Sequence, residues 1–150
     1  MAQADKVRDH VERYRATNGA EGHMWDRLAA EGSFPCLLLT TIGRKTHIAR
    51  TTPLVYGREG DNYVVIASKG GRPTHPAWYL NLIDNPQVVI QVGADLRSAV
   101  AQSAEGAERA RLWQAMKSVY PLYDEYEAKI GSARVIPVVV LTPNQPVGNL

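Results

Sequence analysis

The stretch TPLVYGREGDNYVVIASKGG, residues 52–71, decides the fold. Two β-rich runs flank Gly57, Gly60 and Asp61, which are the residue types that hairpin turns require. The second run, NYVVIAS (62–68), is apolar on both faces, so both faces should be covered. Further along, VGADL (92–96) makes another tight turn around Gly93 and Asp95, and before it Val88, Ile90 and Val92 share one face. Candidate strands are 35–42, 48–57, 61–68, 87–93, 96–102 and 135–142.

Helical patterns interrupt these runs. Residues 75–84 follow Thr74, a candidate N-cap, and stop at Asn85–Pro86. Residues 104–119 carry Leu112, Met116 and Val119 at helical spacing. Pro121 then pushes Tyr120 out of the α region and opens a further helix over 121–130. At the start, Val7, Val11 and Tyr14 recur at i, i+4 and i+7 in a helix over 5–16, whose other faces carry Lys6, Arg8, Arg13 and Arg15. That helix either packs lightly on the domain surface or meets a membrane surface or a ligand as a lid. TNGAEG (17–22) is a loop, and HMWDRLAAEG (23–32) a connector. About six short antiparallel strands with few helices read as a mainly β protein, an antiparallel barrel with peripheral helices. The expected division is an N-terminal amphipathic helix and linker over 1–18 and the barrel domain over 19–150.

Composition sets the outer limits. With 150 residues, 45% hydrophobic and 21% charged, the chain can bury a core without disulfide or metal staples. The longest apolar run, Val135 to Leu141, is far short of a membrane span, and MAQADKVRDH has no apolar leader segment. Cys36, in FPCLLL, reads as a buried small hydrophobe. A net charge of +2 and a sequence pI of 8.8 give no basic stripe for nucleic acid. The default is a soluble cytoplasmic protein with no nucleic-acid partner.

The signatures of phosphate-binding loops, dinucleotide folds, zinc proteases and serine hydrolases are absent, and His10, His23, His47 and His75 show no metal spacing, so no metal is expected. Three segments carry chemistry instead. In TTIGRKTHIAR (40–50), threonines end an apolar strand and Gly43 permits a turn beside Arg44, Lys45 and Arg50. This is either an anion cradle or a solvated turn. SKGGRPTHPAWYLN (68–81) leaves a strand through Lys69, Gly70, Gly71 and Arg72, where the backbone either approaches a ligand or merely flexes. Trp78 and Leu82 then share a helix face, beside Tyr79. In VYPLYDEY, Tyr120, Tyr123 and Tyr126 are spaced by three and suit either a flat aromatic substrate or ordinary packing.

Taken in order, TTxGRKT, TPLVYGRxGDxYVVxASKGG, HPAWYLNL, NPxVxxQVG, ERxRLW, YPxYxxY and IPVVVL resemble the deazaflavin-dependent nitroreductase and quinone reductase family of actinobacteria. The resemblance runs from about Gly19 through residue 143 and implies a split β-barrel of the FMN-binding type. It implies coenzyme F420, a deazaflavin with a phosphodiester and a glutamate tail, and hydride transfer from its reduced form. The acceptor would be a quinone, an enone or a nitroaromatic. By position, Thr41, Gly43, Arg44, Lys45, Thr46 and Arg50 match the loop for phosphate and tail. Pro53, Leu54 and Val55 match a strand along the deazaflavin. Ala67, Ser68, Lys69 and Gly70 match its ring edge, and Ala77, Trp78 and Asn81 a helix wall. Tyr120, Tyr123 and Tyr126, with Val55, match the acceptor pocket; Tyr123, Tyr126 and Ser68 are the candidate catalytic groups. Where some nitroreductases have tyrosine this chain has Val55, with Tyr56 adjacent, which puts nitro reduction in doubt. Other readings are an FMN-dependent oxidoreductase on the same barrel and a non-catalytic deazaflavin carrier. The sequence leaves the oligomeric state and a peripheral contact with the inner membrane face open.

Overall fold

The chain forms α1 (Gln3–Ala16), the short strand β1 (Met24–Trp25), then β2 (Phe34–Ile42), β3 (Ala49–Val55), β4 (Gly57–Glu59) and β5 (Asn62–Ile66). A 3-10 turn (Lys69–Gly71) leads into α2 (Ala77–Asp84), the hairpin of β6 (Gln87–Val92) and β7 (Asp95–Ser103), α3 (Gly106–Val119), α4 (Tyr123–Ile130) and β8 (Val138–Pro143). The computed structural model describes residues 3–25 and 34–144, so most of the 23–32 connector and both ends of the expected 1–18 and 19–150 division lie outside the described residues.

Every strand pair is antiparallel, in the order β1-β2-β6-β7-β8-β5-β4, and β3 also pairs with β2. Only Tyr56 separates β3 from β4, yet the two hydrogen-bond to opposite ends of this order. The sheet therefore curls until β3 lies against β5, and the open seam of the barrel falls between them. A barrel with outer helices forms as expected, but the single strand predicted over 48–57 is two. Tyr56 donates its N–H to the Pro35 carbonyl at 3.1 Å and packs its ring inward on Tyr63. Gly57 then passes under α3 so closely that a Cβ would lie 2.5 Å from the Met116 sulfur. At this point the chain passes from the β2 edge to the β5 edge.

Strand alternation sorts the core. Leu37, Leu39, Tyr63, Val65, Val88 and Ile90 fill the barrel together with residues of β7 and β8. The opposite face of β5, Val64 and Ile66, packs under Leu112, Trp113 and Met116 of α3, so β5 is covered on both sides as its sequence requires. Each such side chain contributes roughly 1.5–3 kcal/mol on burial. The outer side of β2 presents Leu38, and α1 buries Val11 and Tyr14 on it. The Tyr14 hydroxyl donates to the Cys36 carbonyl at 3.0 Å and accepts from the Gly93 N–H at 2.8 Å. Two of the three residues of the α1 stripe, Val11 and Tyr14, are thus spent on the sheet. No helix of the described residues is long and apolar enough to cross a membrane. Cys36 is buried, and burial pushes its thiol pKa well up.

Local chemistry moves some boundaries. Thr74 is not the cap of α2: His75 precedes a proline and is held out of the α region, so the helix waits for Ala77 with Pro76 in the cap position. The Thr74 hydroxyl instead accepts from the Lys69 ammonium at 3.2 Å. Tyr120 is extended before Pro121, as expected, at φ −139° and ψ 96°.

Candidate active site

A cavity of about 290 Å³ occupies the barrel seam. One wall is β3, from Thr52 through Pro53 and Leu54 to Val55; facing it are Ile66 and the segment Ser68–Gly70. Phe34, Tyr120, Tyr123 and Tyr126 close one end, and Trp78 stands at the other. A second cavity of about 400 Å³ continues past Trp78 along the β2–β3 hairpin. Thr52 and Trp78 line both, so the two form one groove.

The hairpin end of the groove is cationic. Gly43 donates its N–H to the Ile48 carbonyl at 2.9 Å, and a Cβ there would meet the Thr46 hydroxyl at 2.6 Å, so a larger residue would have to displace the Thr46 side chain. Arg44, Lys45 and Arg50 line this stretch, and among the described residues no carboxylate lies within 4.0 Å of any of them. The hairpin is braced from α2. Asn81, buried, donates to the Thr41 hydroxyl at 3.2 Å and accepts the Arg44 N–H at 3.1 Å and its guanidinium at 3.4 Å. Cations on a braced turn, with no carboxylate partner among the described residues, are the chemistry that can hold a multiply charged anion.

Across the seam, Lys69, Gly70 and Gly71 are all left-handed, at φ 49°, 62° and 81°. A Cβ on Gly71 would touch the Tyr126 backbone at 3.3 Å, which seats this turn directly on α4. The Ser68 hydroxyl has no partner among the described residues and lines the cavity. Behind the turn, Arg134 donates to the carbonyls of Ala67 (3.0 Å), Ser68 (3.0 Å) and Arg72 (3.1 and 3.2 Å), and to His75 Nδ1 at 3.1 Å. A guanidinium only donates, so Nδ1 is the acceptor of a neutral imidazole. Burial, reinforced by the Arg134 charge, lowers the His75 pKa.

The three tyrosines differ in their contacts. The phenol oxygens of Tyr120 and Tyr126 lie 2.8 Å apart, and the Tyr120 ring packs edge-on against Phe34 at 4.7 Å. Tyr123 is buried, lines the cavity, and makes no hydrogen bond through its oxygen among the described residues. Burial pushes its pKa well above that of an ordinary phenol, so it stays protonated. The helix bearing it is pinned by Asp124, which accepts from the Trp113 indole at 3.0 Å and pairs with Lys117 at 2.6 Å. Those two donors hold the Asp124 carboxyl below its usual range.

The groove brings together nearly every site residue expected from the sequence. Pro53, Leu54, Val55, Ser68, Lys69, Gly70 and the three tyrosines line the seam cavity. Thr41, Gly43, Arg44, Lys45, Thr46, Arg50, Ala77 and Asn81 line its continuation, and Trp78 joins the two. Ala67 is the exception: fully buried, it lines neither, and its carbonyl faces Arg134. Tyr56 is turned into the barrel, 3.4 Å from His23 Nε2, so Val55 is the residue presented to the cavity. Val7 lines the cavity from α1, the helix for which contact with a ligand is one of the expected alternatives; sequence reasoning missed Phe34, Thr52, Ile66 and Pro76 in the walls, and Arg134 behind them. Thr52 was legible as the alternate neighbour of Leu54 on the same strand; Arg134 had no local signal.

Comparison with known proteins is consistent across the chain. Residues 6–143 match the family model F420H(2)-dependent quinone reductase. An F420H(2)-dependent quinone reductase of Mycobacterium tuberculosis is 43% identical over 139 residues, covering 91% of this chain and 89% of the relative. The solved F420-H2 dependent reductase FDR-A is 40% identical, with a TM-score of 0.66 over 71% of this chain and 93% of its own. A further solved relative, a domain-swapped dimer, is 36% identical, with a TM-score of 0.68 over 93% of this chain and 99% of its own.

Proposed function

The chain belongs to the F420H(2)-dependent quinone reductase family, and on that footing we propose that it delivers a hydride from reduced coenzyme F420 to a quinone-type acceptor held in the seam cavity. The observation that carries this reading is the junction at Thr52 and Trp78, where an apolar, aromatic-walled room opens directly onto a cationic hairpin. A flat ring joined to an anionic tail needs that juxtaposition. The residues fit the group: among the described residues the hairpin cations have no competing carboxylates and the Ser68 hydroxyl has no partner, and Gly70 leaves open space beside the cavity.

Reduced F420 supplies the hydride; the protein supplies position and charge. Arg44, Lys45 and Arg50 hold the phosphodiester and the tail through charge-assisted bonds. Leu54, Val55, Ile66 and Phe34 keep water from the reacting faces. Ser68 offers one hydroxyl at the ring edge. Tyr123 offers its O–H to the oxygen on which negative charge develops. Because burial raises its pKa, Tyr123 stabilises by donating a hydrogen bond while keeping its proton, and water delivers the proton that completes reduction. Val55 presents only an isopropyl group, and Tyr56 is turned away, which favours quinones and enones over nitroaromatics as acceptors.

Fluorescence titration tests the binding half. Oxidised and reduced F420 should bind, and FMN, with its single phosphate, should bind at least tenfold more weakly. Equal or tighter FMN binding would favour a flavin enzyme on this barrel.

A further inference from the structure

We propose that Arg134 is a positioning residue of the seam cavity, fixing the Ser68–Arg72 turn so that its N–H groups and the Ser68 hydroxyl meet a bound ring in one arrangement. The proposal rests on the reading that the cavity holds reduced or oxidised F420.

Arg134 has five N–H donors and makes five hydrogen bonds to four acceptors: Nε to Arg72, Nη1 to Ala67 and His75, and Nη2 to Ser68 and Arg72. All four acceptors are neutral, and among the described residues no carboxylate lies within 4.0 Å. A planar fork so fully engaged fixes orientation as well as position, which a lysine ammonium does not. The segment it grips needs such a grip, because three successive residues are left-handed and the first, Lys69, carries a side chain. The grip also sets direction. Peptide groups are planar and trans here, so carbonyls of Ala67 and Ser68 held on the Arg134 side point the N–H groups of Ser68 and Lys69 the opposite way. Neither N–H has an acceptor among the described residues, and both residues line the cavity. The unneutralised charge behind them adds a field that favours the electron-rich edge of a ring. His75 completes the fork from the start of the α2 segment, so the clamp also ties the turn to the wall that carries Trp78.

The test compares wild type, R134Q and R134K by amide exchange of the cofactor-free protein and by F420 affinity. Gly71 and Arg72 donate to the Ser68 and Lys69 carbonyls inside the turn, so their exchange reports its order. In R134Q both amides should exchange at least tenfold faster, the barrel strands should be unchanged, and the Kd for F420 should rise at least tenfold. R134K, with the charge but not the fork, should recover less than half of either effect. If R134Q does not fold, H75F, which leaves one N–H unpaired, should still speed exchange at Gly71 and Arg72 severalfold. Unchanged F420 affinity in R134Q, or full recovery in R134K, overturns the proposal. Failure of wild type to bind F420 overturns the functional reading, while the exchange comparison still decides whether Arg134 orders the turn.

Discussion

Tyr120 and Tyr126 bond to each other through their phenol oxygens at 2.8 Å, and that pairing leaves Tyr123 as the cavity tyrosine whose hydroxyl has no protein partner among the described residues. Donors aimed at developing charge are worth up to about a hundredfold to a thousandfold in rate. Tyr123→Phe is therefore expected to lower kcat for menadione reduction by about tenfold or more, with F420 affinity within twofold. Tyr126→Phe should have the smaller effect. Steady-state kinetics with parallel binding titrations check this, and a larger loss in Tyr126→Phe would reverse the assignment.

The hairpin cations should act through charge. Replacing Arg44, Lys45 and Arg50 together with alanine is expected to weaken F420 binding by about a hundredfold, since each charge-assisted contact is worth roughly 1.5–3 kcal/mol before solvent screening reduces it. Wild-type affinity should fall with ionic strength and the triple variant's should respond less. A salt-independent wild-type affinity would remove the hairpin from the site.

Asn81 is buried and bridges Thr41 to Arg44, so Asn81→Leu strands a buried hydroxyl and a loop N–H. Urea unfolding should show a loss of about 1–3 kcal/mol. Because the brace orients the hairpin, F420 affinity should fall as well.

Gly70 and Gly71 both have positive φ, at 62° and 81°, but only Gly71 has neighbours within 4 Å of a Cβ. Gly71→Ala adds a clash with Tyr126 to the backbone strain and should destabilise by about 2 kcal/mol or more; Gly70→Ala carries only the strain, roughly 1 kcal/mol. Thermal or urea melts of the two variants give the order.

His75 sets a pH dependence. Its folded-state pKa is lowered, first by burial and then by Arg134. Above the ordinary imidazole value of about 6.5 it is neutral whether folded or unfolded, and its contribution is full. As pH falls below that value, the unfolded chain takes up a proton that the folded protein resists, so stability drops until the lowered folded pKa is reached. The melting temperature should fall more between pH 7 and pH 5, roughly the span that brackets an ordinary histidine, in wild type than in His75→Gln.

Much of the site was legible because it rests on local chemistry. Gly43 with Arg44, Lys45 and Arg50 sits within one hairpin, and NYVVI shows in its own composition that β5 is covered on both faces. What escaped depends on distant partners. Arg134 reads as one cation before a strand, and the carbonyl of Ala67 that it holds lies 67 positions earlier. The division of the 48–57 strand at Tyr56 likewise involves distant partners, the Pro35 carbonyl that accepts the Tyr56 N–H and Met116 lying close over Gly57, which no period in the sequence encodes. The resemblance to the family carried the cofactor; the residues alone reached as far as an anion turn, a glycine turn and a row of phenols.

Hydride delivery is tested most directly by mixing F420H2 and menadione anaerobically, with and without the protein, and following the return of oxidised F420 spectroscopically. A reductase should give oxidation that depends on the protein, saturates with menadione and falls in Tyr123→Phe. Tight F420 binding with oxidation no faster than in the protein-free mixture would contradict catalysis and leave a carrier.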